Sequence, residues 1–343
     1  MTPTAGPPGS PLLSRPGAVS AAGADAPVAA HYGDPFAEQR LLASAAAVVD
    51  RSSRGVVTVT GPDRLTWLHS LTSQHLSALP PMRMTESLVL SPHGHVEHHL
   101  HLHDDGSTTW IDVEPDTAAA LVEYLDRMRF LLRVEVTDAT AGWAVLSVVG
   151  PQALEAVSRA TGVDPGELSP AAGTVLSLPA VGVARIAGPD EVVLLVERSD
   201  VATLPDRLEL PVAGLDAYEA LRVERRRPRL RFETDHRTIP HEVGWLETAV
   251  HLDKGCYRGQ ETVARVHNLG RPPRRLVLLQ LDGSTHTLPA SGDPVESDGR
   301  RVGFVTTAVR HHLQGPLALA LVKRNTPDDA PLTAGGVAAS IDR

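Results

Sequence analysis

The sequence contains a single cysteine, and the residues around it are of the types that activate a thiol. Cys256 lies in the octet KGCYRGQE, residues 254–261. A thiol reacts as its thiolate, and cations such as the lysine and the arginine of this octet lower its pKa from about 8.5. The flanking Gly255 and Gly259 allow a tight turn that exposes the sulfur. A packing cysteine is more often embedded among Val, Leu and Ile, so these surroundings favour a functional thiol.

Two segments of the chain share one pattern that predicts the elements around this site. Residues 56–71 and 145–157 each read as a β-branched strand, a glycine turn and a proline at the first helical position. Between them, residues 88–90 and 96–103 predict a hairpin around a Pro-His-Gly turn, followed by a helix with Leu121 and Leu125 on its buried face. The repeat predicts two related α+β subdomains.

The texture of the chain changes after Arg271. From there, short apolar strands alternate with glycine turns, which predicts a small all-β barrel at the C-terminal end. Residues 1–35 are rich in Ala, Gly, Pro and Ser and predict a disordered leader without the features of a signal peptide. No run of about 18 apolar residues occurs, so no membrane span is expected.

Composition limits the function classes. One cysteine excludes internal disulfides, and together with the missing secretory signal this predicts a cytoplasmic protein. The net charge of −9 argues against a general nucleic-acid binder. Residues 225–231 are an exception because five of them are arginine; this run is either a solvated face or a seat for an anionic ligand.

Six histidines lie within a short stretch of the predicted hairpin. In an extended strand three of them would point to one face, and imidazole is a common zinc ligand. Residues two apart on a strand are about 7 Å apart, so neighbours only just share one ion. We therefore favour a polar, open strand face that lines a cavity or solvent over a metal site. The six are His93, His95, His98, His99, His101 and His103.

The octet, followed by Thr-Val-Ala-Arg, closely resembles the signature of the YgfZ-type folate-binding proteins. These include mitochondrial factors that assist the maturation of iron–sulfur enzymes, and their fold relatives include the glycine-cleavage T-protein, an aminomethyltransferase. The similarity extends from about Phe36 to the C-terminal end. The other segments that carry it are residues 68–73, 91–96, 221–224, 239–242, 301–303 and 322–324.

The resemblance implies an α+β fold in which three domains form a ring that receives tetrahydrofolate or a one-carbon derivative. The expected domains are residues 36–140, residues 141–270 with the octet, and a barrel at 271–343. Glu224 would contact the pterin ring, because a carboxylate accepts two N–H donors at once. Arg222 and Tyr257 are the other expected folate contacts. The alternative is that Glu224 pairs with Arg222 or a neighbouring arginine.

One departure from the T-protein pattern bears on the reaction. T-proteins carry an Asp pair after the hairpin, where this chain resembles them but has His98 and His99. Histidine transfers protons but does not reproduce a carboxylate beside a developing iminium. T-proteins also lack the octet. Aminomethyl transfer, or other one-carbon folate chemistry, is therefore the alternative function.

The favoured function is an accessory one. We expect a tetrahydrofolate-binding protein that assists assembly or repair of iron–sulfur clusters, with client enzymes or cluster carriers as partners. Cys256 is the expected reactive centre, as nucleophile or transient thiolate ligand, and Lys254 its pKa-lowering partner and anion contact. Arg258 would assist. Gln260 and Glu261 would fix the loop by hydrogen bonds or serve only as turn and helix-start residues.

Overall fold

Residues 7–164, 166–168, 173–178, 181–284 and 286–342 are described by the computed structural model. The chain divides into two units, each made of several stretches. The first unit comprises residues 1–70, 75–87 and 100–218, and the second comprises residues 71–74, 88–99 and 219–343. Within the described ranges, no helix is both long and apolar enough to cross a membrane.

The described residues up to Glu224 form thirteen short strands and six α-helices. The strands are β1 Val19–Ser20, β2 Ala29–His31, β3 Ala47–Asp50, β4 Gly55–Thr60, β5 Arg83–Leu90, β6 Val96–Asp104, β7 Thr108–Val113, β8 Glu135–Asp138, β9 Trp143–Val149, β10 Val175–Leu178, β11 Gly182–Gly188, β12 Glu191–Glu197 and β13 Val212–Ala213. The helices are α1 Pro35–Ser44, α2 Arg64–Leu71, α3 Ala118–Arg127, α4 Ala153–Thr161, α5 Leu204–Arg207 and α6 Leu215–Glu224.

Two larger sheets organise these strands. One has the order β5-β6-β7-β4-β8 and the other the order β10-β11-β12-β9-β3-β13. Each contains one of the repeated strand–helix units, β4 with α2 and β9 with α4. The turn glycines are required, because a Cβ on Gly61 or Gly150 would lie within 2.2 Å of a backbone oxygen. The predicted pair of α+β subdomains is confirmed in this sense.

The boundary predicted at residue 140 does not separate the two sheets. Strand β3 lies before that boundary, yet it pairs antiparallel with β9 and parallel with β13. Its residues Val48 and Val49 are fully buried. The second sheet therefore takes a strand from the first predicted subdomain, a pairing that local sequence patterns do not encode.

The disordered leader is wrong for residues 7–35. Residues Pro11–Ser14 form a 3-10 helix capped by Ser10, whose hydroxyl also donates to Asp50. Leu12 is 1% exposed and packs in the same buried cluster as Val48. Leu12 and the hydrogen bond from Ser10 to Asp50 thus help to order a segment that is poor in large apolar residues. Residues 1–6 lie outside the described ranges.

The predicted C-terminal barrel is confirmed. It is preceded by a 3-10 helix at Pro240–Glu242 and by helices α7 Trp245–Ala249 and α8 Gln260–Leu269. Six strands then close in the order β14-β17-β16-β15-β18-β19 around a core of Val, Leu and Ala. Those strands are β14 Arg274–Leu281, β15 Pro294–Ser297, β16 Arg300–His311, β17 Gly315–Lys323, β18 Leu332–Ala334 and β19 Val337–Ile341.

Candidate functional site around Cys256

The thiol of Cys256 is free and exposed, in the loop that joins α7 to α8. Both helices contribute to a buried cluster, α7 through Trp245 and Ala249 and α8 through Val263. The hairpin of β5 and β6 adds Leu88, among other residues, to the same cluster. The loop therefore starts and ends in elements that share one core, which leaves the sulfur on the outside of an ordered turn.

Lys254 anchors the loop to the segment of residues 71–74. Its Nζ donates to the carbonyl oxygens of Thr72 at 2.5 Å and Gln74 at 3.1 Å, and it lies 5.0 Å from the centre of the Tyr257 ring. Burial lowers the pKa of Lys254 to about 8, so the amine remains mostly protonated at pH 7. Lys254 is thus a cationic anchor of the loop; its predicted effect on the pKa of Cys256 stays a prediction.

The segment of residues 71–74 that receives Lys254 is itself tied into the second unit by Ser73. Its hydroxyl accepts from the Leu88 amide at 2.8 Å and donates to the Ala249 carbonyl at 2.6 Å. Its own carbonyl accepts from the His251 amide at 3.0 Å. Helix α2 ends at Leu71, at the start of this segment. The supporting role of the segment was missed, because no local signal links it to a loop some 180 residues later.

The second half of the octet is closed by a tight turn. The Tyr257 amide donates to Gln260 Oε1 at 2.9 Å, so the expected loop-fixing hydrogen bond of Gln260 is present. Gly259 has φ +83°, and a Cβ there would meet Ser91 O at 2.5 Å and Gly94 Cα at 2.9 Å. A glycine is required at this position because the hairpin turn packs directly on the start of α8.

The remaining octet residues are peripheral. Gly255 has an ordinary φ and open space around its Cα, so the idea that it permits a special backbone geometry is wrong. Arg258 pairs with Glu97 at 3.1 Å, with both side chains about one-third exposed. Glu261 lies exposed in the first turn of α8, where an acidic residue complements the helix dipole.

Tyr257 does not offer a ligand contact in the way the resemblance implied. Its side chain is 9% exposed and packs in the cluster with Leu88, Trp245 and Val263. Burial raises its pKa to about 12. The predicted folate contact of Tyr257 is therefore corrected to a core position that holds the loop against α7 and α8.

Arg222 is also a structural residue. All five of its guanidinium N–H groups are used: three hydrogen bonds go to the carboxylates of Glu219 and Glu233 and two to Arg227 O and Thr307 Oγ1. The side chain is 4% exposed. A guanidinium without a remaining donor does not bind a ligand, so the predicted folate contact of Arg222 is wrong.

Glu224, two residues further along α6, faces outward instead. Its Oε1 accepts from Gln314 Nε2 at 2.6 Å, and its Oε2 lies 3.6 Å from His311 Nε2, with the side chain 34% exposed. Burial lowers the pKa of His311, so this imidazole is neutral near pH 7. The alternative in which Glu224 pairs with Arg222 is not what the structure has.

The histidines of β6 do not form an open polar face, and that interpretation is wrong. His98, His99 and His103 are 8%, 4% and 0% exposed, because β6 is an inner strand between β5 and β7. The half-buried His101 has its Nδ1 4.0 Å from Glu86 Oε1. The fold thus places His98, His99 and His103 in the protein interior rather than in solvent.

The buried histidines differ in their surroundings. The His99 ring stacks at 4.3 Å on Trp245. His98 Nδ1 and both nitrogens of His103 have no hydrogen-bond partner within the described part of the chain. Burial lowers the pKa of His98 to about 4 and that of His103 to about 3.

Comparison with known proteins defines the class of this fold. Residues 24–178 match the family model described as the GCVT N-terminal domain. The crystal structure of glycine cleavage system aminomethyltransferase T from Bartonella henselae matches with a TM-score of 0.85 at 19% identity, over 97% of this chain and 95% of that chain. The chain therefore has the glycine-cleavage T-protein fold.

The C-terminal part of the chain matches a second family model. Residues 274–343 match the family model described as CAF17, C-terminal beta-barrel domain. The chain thus matches two family models in succession, a GCVT N-terminal domain and a CAF17 C-terminal barrel.

Curated relatives with different names match this chain. An aminomethyltransferase from Symbiobacterium thermophilum is 29% identical over 311 residues, 85% of this chain and 82% of that protein. The tRNA-modifying protein YgfZ from Photorhabdus laumondii is 28% identical over 294 residues, 81% and 86%. A putative chloroplastic transferase from Arabidopsis thaliana is 24% identical over 279 residues. This chain spans only 61% of that transferase's length, while the match covers 76% of this chain.

Proposed function

We propose that the protein binds a tetrahydrofolate-type ligand and assists the assembly or repair of iron–sulfur clusters in client enzymes through the thiol of Cys256. The observation that carries the proposal is an exposed, free thiol on a loop that Lys254, Gln260 and Gly259 hold in one conformation. An inert packing cysteine would be buried, and a thiol on a mobile segment would lack these anchors. The match to the CAF17 barrel model and the similarity to the tRNA-modifying protein YgfZ support the same function.

The chemistry of one thiol limits what the protein does to a cluster. A four-iron cluster takes four cysteine ligands, and this chain has one. The cluster is therefore a substrate that Cys256 contacts transiently, with the other ligands supplied by the client or by a cluster carrier. The thiol acts either as a nucleophile or as a thiolate ligand during transfer.

Glu224 is the residue that would hold the pterin. Each of its carboxylate oxygens has a second lone pair beyond its contact with Gln314 or His311, and the side chain is one-third exposed. Two parallel N–H donors of a pterin edge match such a carboxylate. Since Arg222 and Tyr257 are committed to the protein interior, the expected recognition of the ring depends on Glu224.

A second candidate is aminomethyl transfer with a folate acceptor. It is favoured by the T-protein fold and by relatives named aminomethyltransferases. It is disfavoured by the buried histidines, His98 and His99, at the position of the T-protein's acidic pair. Release of methylene-tetrahydrofolate from aminomethyl-loaded H-protein at an enzymatic rate would establish it in place of the accessory function.

The test is functional replacement in a strain that lacks the native protein. Cys256→Ser and Lys254→Ala are compared with wild type for the activity of an iron–sulfur enzyme, at equal expression. We expect Cys256→Ser to fail while the purified variant still binds tetrahydrofolate. A variant that replaces wild type fully would reduce the protein to a plain folate-binding module.

A further inference from the structure

The loop of residues 229–234 carries Arg231 in a backbone conformation that arginine rarely adopts. Its φ is +70°, in the left-handed region that favours glycine. The loop is nevertheless fixed: the Arg231 amide donates to Thr234 Oγ1 at 2.7 Å, and the Glu233 amide donates to Arg229 O at 3.0 Å. A strained conformation persists only where the surroundings determine it, and such residues cluster at functional sites.

Glu233 ties this loop to the barrel. Its carboxylate is fully buried and accepts from Arg222 Nη1 and the Arg229 amide at 2.8 Å each. It also accepts from two threonine hydroxyls of β16, Thr306 and Thr307, at 3.2 and 2.5 Å. A loop anchored in this way presents the side chain of Arg231 in a fixed direction.

Other arginines of the neighbourhood are already paired. Arg226 contacts Asp342 at 2.9 Å, and Arg229 contacts Glu219 at 3.1 Å while it stacks on Phe232. The guanidinium of Arg231 is exposed, and it forms no hydrogen bond or ion pair with any residue in the described ranges. A strained arginine that serves no internal contact is available for a ligand.

His98 is the second unsatisfied group at this place. The side chain is 92% buried, since 8% is exposed, and its Nδ1 has no partner among the described residues. Leu230, next to Arg231, shares a buried cluster with Val96 on β6, two residues before His98. The Val96 amide also donates to Thr238 O at 2.9 Å, four residues after the end of this loop. The charge of Arg231 contributes to the lowered pKa of His98, in accord with their proximity.

We propose that Arg231 and His98 form a recognition pair for a carboxylate of the bound ligand. The guanidinium supplies the charge and two parallel donors, and the neutral imidazole donates from Nδ1 in the tautomer that the carboxylate selects. The inference rests on the proposed folate function, because a glutamate-tailed folate supplies such carboxylates. It assigns the anion-binding role to one arginine rather than to the whole run.

The test compares 5-formyltetrahydrofolate with its dimethyl ester, in which both glutamate carboxylates are uncharged, by calorimetric titration of the full chain. Wild type is expected to prefer the acid. Arg231→Gly is expected to lose roughly tenfold in affinity for the acid, the worth of one charge-assisted hydrogen bond, and little for the ester. Because glycine relieves the left-handed strain, the same variant is expected to melt at a higher temperature than wild type.

Arg226→Gly is the matched control, since Arg226 also has a left-handed φ, of +53°, but pairs with Asp342. It is expected to leave the affinity for both ligands unchanged. Equal losses in the two glycine variants would assign the effect to net charge and overturn the proposal. If wild type binds acid and ester equally, the pair is refuted while folate binding stands; if it binds neither, the proposed function fails first.

His98→Gln, which removes the buried imidazole, is expected to weaken binding of the acid selectively, and an equal loss for the ester would refute its role.

Discussion

Replacing Gly259 by alanine tests whether the cysteine loop is held in one conformation by the hairpin turn. The backbone at Gly259 has φ +83°, which costs an L-residue about 1–2 kcal/mol. The new Cβ would also lie 2.5 Å from Ser91 O and 2.9 Å from Gly94 Cα, which are backbone atoms of the hairpin. Displacing packed neighbours of this kind costs about 1–3 kcal/mol. We therefore expect Gly259→Ala to lower the free energy of unfolding by about 3 kcal/mol.

The assay is urea unfolding followed by tryptophan fluorescence, which includes the signal of Trp245 in the cluster beneath the loop. Gly255→Ala is the matched control within the octet, because no atom lies within 4 Å of its added Cβ and its φ is not left-handed. It is expected to change the free energy of unfolding by less than about 0.5 kcal/mol. If the two alanine variants are equally stable, the contact between the hairpin turn and the start of α8 does not hold the loop.

Three further predictions concern buried charge and ligand binding. Glu233→Ala removes the acceptor of the Arg229 amide and one acceptor of the buried Arg222 guanidinium. It is expected to lower the free energy of unfolding, measured in urea, by about 3–5 kcal/mol. A decrease of less than about 1 kcal/mol would contradict the stabilising role of these hydrogen bonds. Burial lowers the pKa of Lys254 to about 8 from 10.5, so the folded protein holds fewer protons than the unfolded chain between these values. The unfolding free energy of wild type relative to Lys254→Met is therefore expected to rise as pH increases from about 8 towards 10.5, and a flat difference would refute the shift. Glu224→Gln is expected to weaken tetrahydrofolate binding tenfold or more in calorimetric titration with an unchanged melting temperature, whereas unchanged affinity would exclude Glu224 from the pterin site.

Much of the fold follows from local patterns. The two strand–helix units can be predicted from the sequence because Gly61 and Gly150 lie where no side chain fits. The barrel can be predicted from its glycine turns. The pairing of β3 with β9 is not readable, since nothing in residues Ala47–Asp50 distinguishes one buried sheet from another. The order of the leader depends on Leu12, which a composition average conceals.

The sequence predicts some residues of the site correctly and others wrongly, because local patterns do not reveal tertiary contacts. A motif with unusual composition identified the loop of Cys256, and the side chain of Gln260 fixes that loop as expected. Tertiary packing determines whether a side chain points inward, and local sequence does not reveal it. The resemblance therefore predicts ligand contacts at Tyr257 and Arg222, although both side chains are buried. The carbonyl anchors of Lys254 at Thr72 and Gln74 lie far away in sequence and carry no pattern of their own.

The central claim is that the exposed thiol of Cys256 is required for the proposed assistance to iron–sulfur enzymes. Replacement of its sulfur by oxygen tests this claim most directly. Cys256→Ser is introduced into cells that lack the native protein, and the activity of an iron–sulfur enzyme is measured beside wild type at equal protein level. We predict activity no higher than in the empty strain, with tetrahydrofolate affinity of the purified variant equal to that of wild type. Full enzyme activity with the serine variant would contradict the claim.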